Sequence, residues 1–155
     1  MAELVLLKGL SGLVPYNPES EEIIKNLKLG AIIQAKFNQP RNPQFHRKFM
    51  ALLNLAFDHF EPKPIVYNEV AIVPEKNFEE FRRWVTIRAG FFDFIGYPNG
   101  TYRARAKSIS FANMDEQEFS HLYSKAIDVL LEDVLNDYET YDQVESTVNK
   151  IIGFA

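Results

Sequence analysis

The 155-residue sequence predicts a single α+β domain over residues 1–155, a small antiparallel sheet with a hairpin and helices packed on one side. Three observations carry that prediction. In Arg41–Phe60, RNPQFHRKFMALLNLAFDHF, the residues Phe45, Phe49, Leu52, Leu53, Ala56, Phe57 and Phe60 recur at three- and four-residue steps, one broad apolar stripe of a helix. Pro98-Asn99-Gly100 separates two β-prone runs and reads as a hairpin turn. The remaining elements do not alternate strand and helix regularly, which argues against a parallel sheet.

Taken in order, Glu3–Leu7 reads as a short strand, and Pro15, Asn17 and Pro18 make a loop. Ser20 caps a short helix over Glu21–Leu27, which Gly30 closes, and Ala31–Phe37 reads as a second strand. Asn42 is a good N-cap for the organising helix, and Pro43 suits its first turn. Glu61–Pro64 ends it, and Ile65–Val73 fits either a strand or an extended connection. Asn77 caps a helix over Phe78–Ala89, with Phe78, Phe81, Trp84 and Val85 on its apolar face and Gly90 as terminator. The hairpin follows, Phe91–Tyr97 with Thr101–Phe111. Asp115, with Glu118 three residues on, opens a helix running to about Leu135. The last helix is Tyr141–Ile152. The stripe of Phe45, Phe49, Leu52 and Phe57 is expected to pack on the Phe91–Phe111 hairpin.

Composition narrows the chemistry. Apolar residues make up 46% and aromatics 14%, an ordinary globular balance. With no cysteine there is no disulfide, no thiolate nucleophile and no cysteine-ligated zinc, which fits a cytoplasmic protein. No run reaches the ~18–20 apolar residues of a membrane span, so no membrane partner is expected. The net charge of −4 conceals an asymmetry. Six Lys/Arg and no acid lie between Ile23 and Phe57, and six against Asp93 alone between Phe81 and Met114. Ten acids against Lys125 lie between Asp115 and Glu145. Either these regions neutralise each other across the fold, or a basic face meets a polyanion and an acidic face meets a protein.

Catalytic signatures are missing. His46 and His59 lie thirteen residues apart and match no zinc spacing, and His121 sits on the acidic helix. Asp58, Glu61, Glu69 and Asp93 could gather around magnesium for phosphodiester cleavage, but nothing in their spacing favours it over solvated surface. There is no Walker loop, dinucleotide fingerprint or serine elbow. We therefore expect no enzyme, no cofactor and no metal site.

Nucleic-acid binding has more behind it. Phosphates are held by Lys, Arg and helix N-termini, and single strands also need aromatic faces for stacking. The turn before and into the organising helix offers Arg41, His46, Arg47 and Lys48, with Phe45 among them. Cations there oppose the helix dipole by ~0.3–1 kcal/mol each. They call either for nearby acids or for a bound anion. In the second hairpin strand Arg103, Arg105 and Lys107 alternate onto one face, with Tyr102 on the other and Tyr97 by the turn. Against both stand ordinary readings: charged edge strands resist aggregation, and phenylalanines at helical spacing are usually core.

RNPQFHRKFMALLNLAFDHF and the downstream AKSISFANMDEQEFSHLYSKAIDVLLEDVL resemble a family of uncharacterised phage and prophage proteins, over about Leu27–Leu135. More distantly, Arg47-Lys48 followed by an aromatic and Ala51-Leu52 is similar to the lambda NinB (Orf) recombination mediators. So is the serine-rich Ser108–Phe111 followed by Met114 and Glu118-Phe119. That second resemblance implies single-stranded DNA binding, a homodimer, and a role in loading recombinase past a host single-strand binding protein, in the host cytoplasm. The acidic Asp115–Glu145 helices depart from it. They leave a second reading, a factor that engages a host protein through a DNA-like acidic surface, and a metal-dependent nuclease as a third. Leu130, Leu131, Val134, Val144 and Val148 exceed one helix stripe, which places the expected dimer contact on the C-terminal helices.

Overall fold

The computed structural model describes residues 3–153, and the chain divides into two units, Met1–Phe37 and Asn38–Ala155. Among the described residues regular structure consists of five helices and three two-stranded antiparallel ladders, an α+β fold as expected. No ladder joins another, so the sheet component is three separate hairpins.

In the first unit, β1 (Leu6–Lys8) pairs with β2 (Leu13–Pro15), and the connection is closed by the Gly9 N–H donating to the Gly12 carbonyl at 2.8 Å. Helix α1 (Pro18–Lys25) starts earlier than the sequence reading placed it. Asn17 is the cap, accepting from the Ser20 N–H at 2.9 Å, and Pro18 opens the first turn. Ser20 does another job: its buried hydroxyl accepts from the Val5 N–H at 2.9 Å and ties helix to strand. The strand expected at residues 31–37 does not form. Apolar β-prone residues make a strand only against a ladder partner, and none of the described residues pairs with this segment.

The second unit is built on α2 (Pro43–His59), which lies against α3 (Phe78–Arg88), α4 (Glu116–Asp133) and α5 (Tyr141–Ile151). Its start is local chemistry. Asn42 Oδ1 accepts from the Gln44 N–H at 2.9 Å, and Pro43 loses no bond at N1. Helices α3 and α4 begin the same way, on Asn77 and Asp115. Phe49, Leu52, Leu53 and Ala56 are fully buried among Phe119, Leu122, Ile127 and Leu130 of α4, Val85 of α3, and Val144 and Val148 of α5. Phe45 and Phe49 meet Phe119 edge-on at 5.1 and 5.2 Å between ring centroids, and Phe57 meets Phe78 at 5.6 Å. The stripe therefore packs on helices and not on the hairpin, contrary to expectation. Leu130, Val144 and Val148 are consumed in this core too, while Leu131 and Val134 are half-buried at its edge.

Two hairpins complete the unit. β3 (Ile65–Tyr67) pairs with β4 (Val70–Ile72) through a turn in which Asn68 and Glu69 hold φ of 49° and 64°. β5 (Phe92–Gly96) pairs with β6 (Tyr102–Ala106), and β6 lies along α3. The second strand stops well short of Phe111. After Lys107, whose N–H still reaches the Phe91 carbonyl at 3.0 Å, Ser108, Ser110 and Asn113 bond to one another in a turn.

Candidate nucleic-acid interface

The basic turn before α2 is folded inward. Arg41 is 6% exposed; its Nη1 donates to the Ile109 carbonyl at 2.7 Å and its Nη2 to His46 Nδ1 at 2.8 Å. The guanidinium lies 3.4 Å over the Phe119 ring centroid and 4.7 Å from that of Phe111. Burial lowers its pKa, opposed by the Glu116 carboxylate, and the guanidinium stays charged. Because Arg only donates, His46 Nδ1 must be the unprotonated nitrogen. Burial first, then the charges of Arg41 and Arg82, hold His46 below its ordinary pKa, which fits the neutral ring this bond requires.

The other members are placed differently from one another. Lys48 pairs with Glu145, whose second oxygen accepts from the Tyr123 hydroxyl at 2.6 Å. Burial and that bond both raise the Tyr123 pKa. Glu116 accepts from the Asn42 N–H at 2.8 Å, so a carboxylate of the chain itself stands where an anion would sit at the start of α2. Arg47 alone of this group is exposed and without a carboxylate partner among the described residues.

The hairpin is the reverse case. Arg103, Arg105 and Lys107 are all exposed, and none has a carboxylate partner among the described residues. The pairings Ile95↔Arg103 and Asp93↔Arg105 put both arginines on the face that also carries Asp93. The Lys107–Phe91 bond extends the ladder by one step, keeping Lys107 in register with them. Arg103 Nε donates to the Tyr97 hydroxyl at 2.8 Å, which braces the guanidinium at the turn end. The other face presents aromatics: Phe94 and Tyr102 are 68% and 71% exposed, with rings perpendicular at 5.5 Å.

Between β6 and α3 run two clefts that share Arg83, Arg105 and Ala106. One, about 880 Å³, takes in Arg82, Lys107, Ser108, Ser110 and Asn113; the other, about 760 Å³, takes in Trp84 and Arg103. Glu79, Asp93 and Glu118 temper the first. Arg82 and Arg83 are paired with Glu79 and Glu80 one turn earlier, at 2.8 and 2.6 Å. Both carboxylates are more than half exposed, and helical pairs at this spacing are worth ~0.3–0.5 kcal/mol, little enough for a phosphate to displace.

Sequence reasoning missed the α3 arginines and the Ser108–Asn113 turn as cleft walls; Arg82-Arg83 next to Trp84 was the available signal. His59 donates from Nδ1 to the Leu55 carbonyl, 2.9 Å away, an ordinary helix-end bond, and His121 lies against Phe91. Among the described residues no three His, Cys, Asp or Glu side chains gather as a metal site would require, and Asp58, Glu61, Glu69 and Asp93 do not come together. No helix among them is long and apolar enough to cross a membrane.

Neither a curated protein nor a solved structure matches the chain. A family model does, over residues 1–74 and 65–154, and it is described as "Protein of unknown function (DUF1367)". The matched segments take in both units and all five helices, and the chain therefore belongs to that family.

Proposed function

We propose that this chain binds single-stranded DNA along the β5–β6 hairpin and α3, as a non-enzymatic accessory of DNA metabolism. The observation that carries the reading is the two-sided hairpin: three exposed cations, none in an ion pair, share one face with a single acid, and two exposed aromatic rings lie on the other. A single strand draped over such a ribbon places phosphates against Arg103, Arg105 and Lys107 and bases against Phe94 and Tyr102. Stacking of this kind is worth ~1–3 kcal/mol per base, and the phosphate contacts make binding salt-dependent. Arg41, His46 and Lys48, already bonded within the fold, have no part in this reading, and Arg47 remains as an auxiliary contact. The resemblance to NinB-type mediators supports a recombination role in a phage-infected cell, as a cytoplasmic homodimer acting beside a host single-strand binding protein.

The test is fluorescence anisotropy on a labelled oligothymidine across a salt series. Arg103→Gln, Arg105→Gln and Lys107→Gln together should lower the log–log salt slope by ~2, from ~0.7 per lost single-strand phosphate contact. Tyr102→Ala should weaken binding without changing that slope. A triple variant that binds like wild type would move the site elsewhere.

A second reading keeps one specific observation on its side. Asp128, Glu132, Asp137, Glu139 and Asp142 are exposed on α4, α5 and their connection, without cationic partners among the described residues. Such a row would suit a host DNA-binding protein that takes it for a phosphate backbone. Retention of that protein by the wild type, lost on neutralising these five acids and untouched by the hairpin variant, would favour it.

A further inference from the structure

A cleft of about 630 Å³ opens where α2 ends beside α3 and the last turn of α4. That is within the ~300–1,000 Å³ of ordinary ligand pockets. Its apolar wall is a run of three near-parallel rings. Phe60 and Phe81 stack at 5.5 Å with 23° between planes, and Phe81 and Trp84 at 6.1 Å with 26°. Phe60 caps α2, while Phe81 and Trp84 are three residues apart on one face of α3. Phe81 is buried, whereas Trp84 is 38% exposed, so part of an indole stays open to solvent.

The charged groups of the wall are all acidic: Glu75, Glu80 and Asp133, with no Lys or Arg among the described residues that line it. Glu75 is exposed and has no cationic partner among the described residues. Glu80 and Asp133 are paired with Arg83 and Arg88, at 2.6 and 2.9 Å, and both arginines stand outside the wall. Helix α4 ends at Asp133 with no basic residue in its last turn, so the negative end of its dipole adds to the carboxylates.

We propose that this cleft receives an arginine side chain of a partner protein, its guanidinium against the exposed rings and its N–H groups on Glu75. A ring face is electron-rich and a carboxylate needs a donor. A guanidinium answers both at once, lying flat on the ring while its fork of N–H groups meets the carboxylate. The fold itself uses such contacts twice. Arg41 lies over Phe119, and Lys76 Nζ lies 4.6 and 5.8 Å from the ring centroids of Phe57 and Phe60 without entering the cleft wall. An ammonium has no flat face to offer near-parallel rings, and a phosphate meets three carboxylates. None of the five acids in the row on α4, α5 and their connection lines this cleft, so the two surfaces are separate. The inference does not depend on the DNA reading.

Trp84 is the only tryptophan of the chain, so its fluorescence reports on the cleft directly. The probe is a blocked Gly-Arg-Gly peptide titrated into the full chain to millimolar concentration at constant ionic strength, with lysine and citrulline counterparts alongside. The arginine peptide should change the emission saturably. The lysine peptide should bind severalfold more weakly, and the citrulline peptide, arginine's uncharged isostere, should not bind. Glu75→Gln removes an exposed carboxylate, and Phe60→Leu a ring face while keeping apolar bulk. Each should raise Kd severalfold with unchanged circular dichroism. Asp142→Asn, outside the cleft, should bind as the wild type does. The proposal is overturned by an emission that does not saturate, or by a lysine or citrulline peptide that binds as tightly as the arginine one. Wild-type affinity in both Glu75→Gln and Phe60→Leu, or an equal loss in Asp142→Asn, overturns it too. Oligothymidine binding measured on the same proteins keeps the two readings apart. A chain that takes the arginine peptide as stated but binds no DNA removes the DNA reading and leaves this cleft standing.

Discussion

Two basic stretches of this chain look alike in sequence and have opposite fates. Around Arg41–Lys48 the cations are absorbed: Arg41 lies between two phenylalanines and against a backbone carbonyl, and Lys48 is paired to a carboxylate. Around Arg103–Lys107 they are left over, on a strand whose neighbours are alanines and whose facing strand offers a single acid. The difference is set by what the rest of the fold brings. An amphipathic helix start is carried into the core with whatever charges flank its stripe, and those charges must then be satisfied inside. A ribbon packed along one helix keeps its charges in water, free for a ligand. Positive charge becomes a binding site only where the fold leaves it unanswered.

The largest effect that would break this contrast is at Arg41. Arg41→Ala strips the Ile109 carbonyl of its donor and removes the cation over Phe119, a loss of about 3 kcal/mol from the two causes together. Phe49→Ala, a fully buried ring in the same core, should cost about 3–5 kcal/mol and serves as the yardstick. Both are read by urea unfolding. An Arg41→Ala protein that unfolds like wild type but no longer binds oligothymidine would reverse the assignment, making the turn the site after all.

Lys48 comes next. Lys48→Met keeps the apolar stem and leaves the Glu145 carboxylate with only the Tyr123 hydroxyl. With the two side chains 16% and 25% exposed, the pair stands between the surface and buried cases, and about 1–2 kcal/mol should be lost. No change in salt-dependent DNA binding should accompany it. The hairpin should show the converse: the triple glutamine variant should stay within about 0.5 kcal/mol of wild type while its DNA binding falls. Arg47→Gln should do little to stability and lower the salt slope by at most ~0.7.

Much of the fold was legible because its signals are local. Asn42-Pro43, Asn77 and Asp115 start helices by bonding backbone two or three residues on, and Asn99-Gly100 turns a hairpin within its own four residues. Asn17-Pro18 carries the same signature as Asn42-Pro43 and was there to be read. What stayed hidden depends on distant partners. Residues 31–37 have strand composition but no ladder. Arg41 finds its carbonyl 68 residues away, and Lys48 its carboxylate 97 residues away. No spacing rule within the turn foretells either. The basic alternation of β6 was visible at once, whereas the freedom of its three cations shows only when every acid has been placed.

The smallest effect is a pH dependence, and it probes the absorbed side of the contrast. His46 faces Arg41 from its own turn and Arg82 from α3, with the rings of Phe111 and Phe119 against it and Glu79 and Glu118 in the adjoining cleft. Its folded pKa lies below 6.5, from burial first and the two arginines second. As pH falls through 6.5 the unfolded chain takes up the proton and the folded chain does not, so stability drops on the acid side and is flat above. Protonation would also remove the lone pair that Arg41 donates to. Glu21 and Glu79, held below 4.5 by Lys25 and Arg82, lose their contributions only at lower pH and do not overlap this window. His46→Asn keeps an acceptor and cannot titrate. Its urea midpoint should therefore fall less than that of wild type between neutrality and pH 5, about two units of acidification that leave most native carboxylates charged. Equal falls in the two proteins would mean that His46 is not held neutral, and that the Arg41–His46 bond does not anchor the turn.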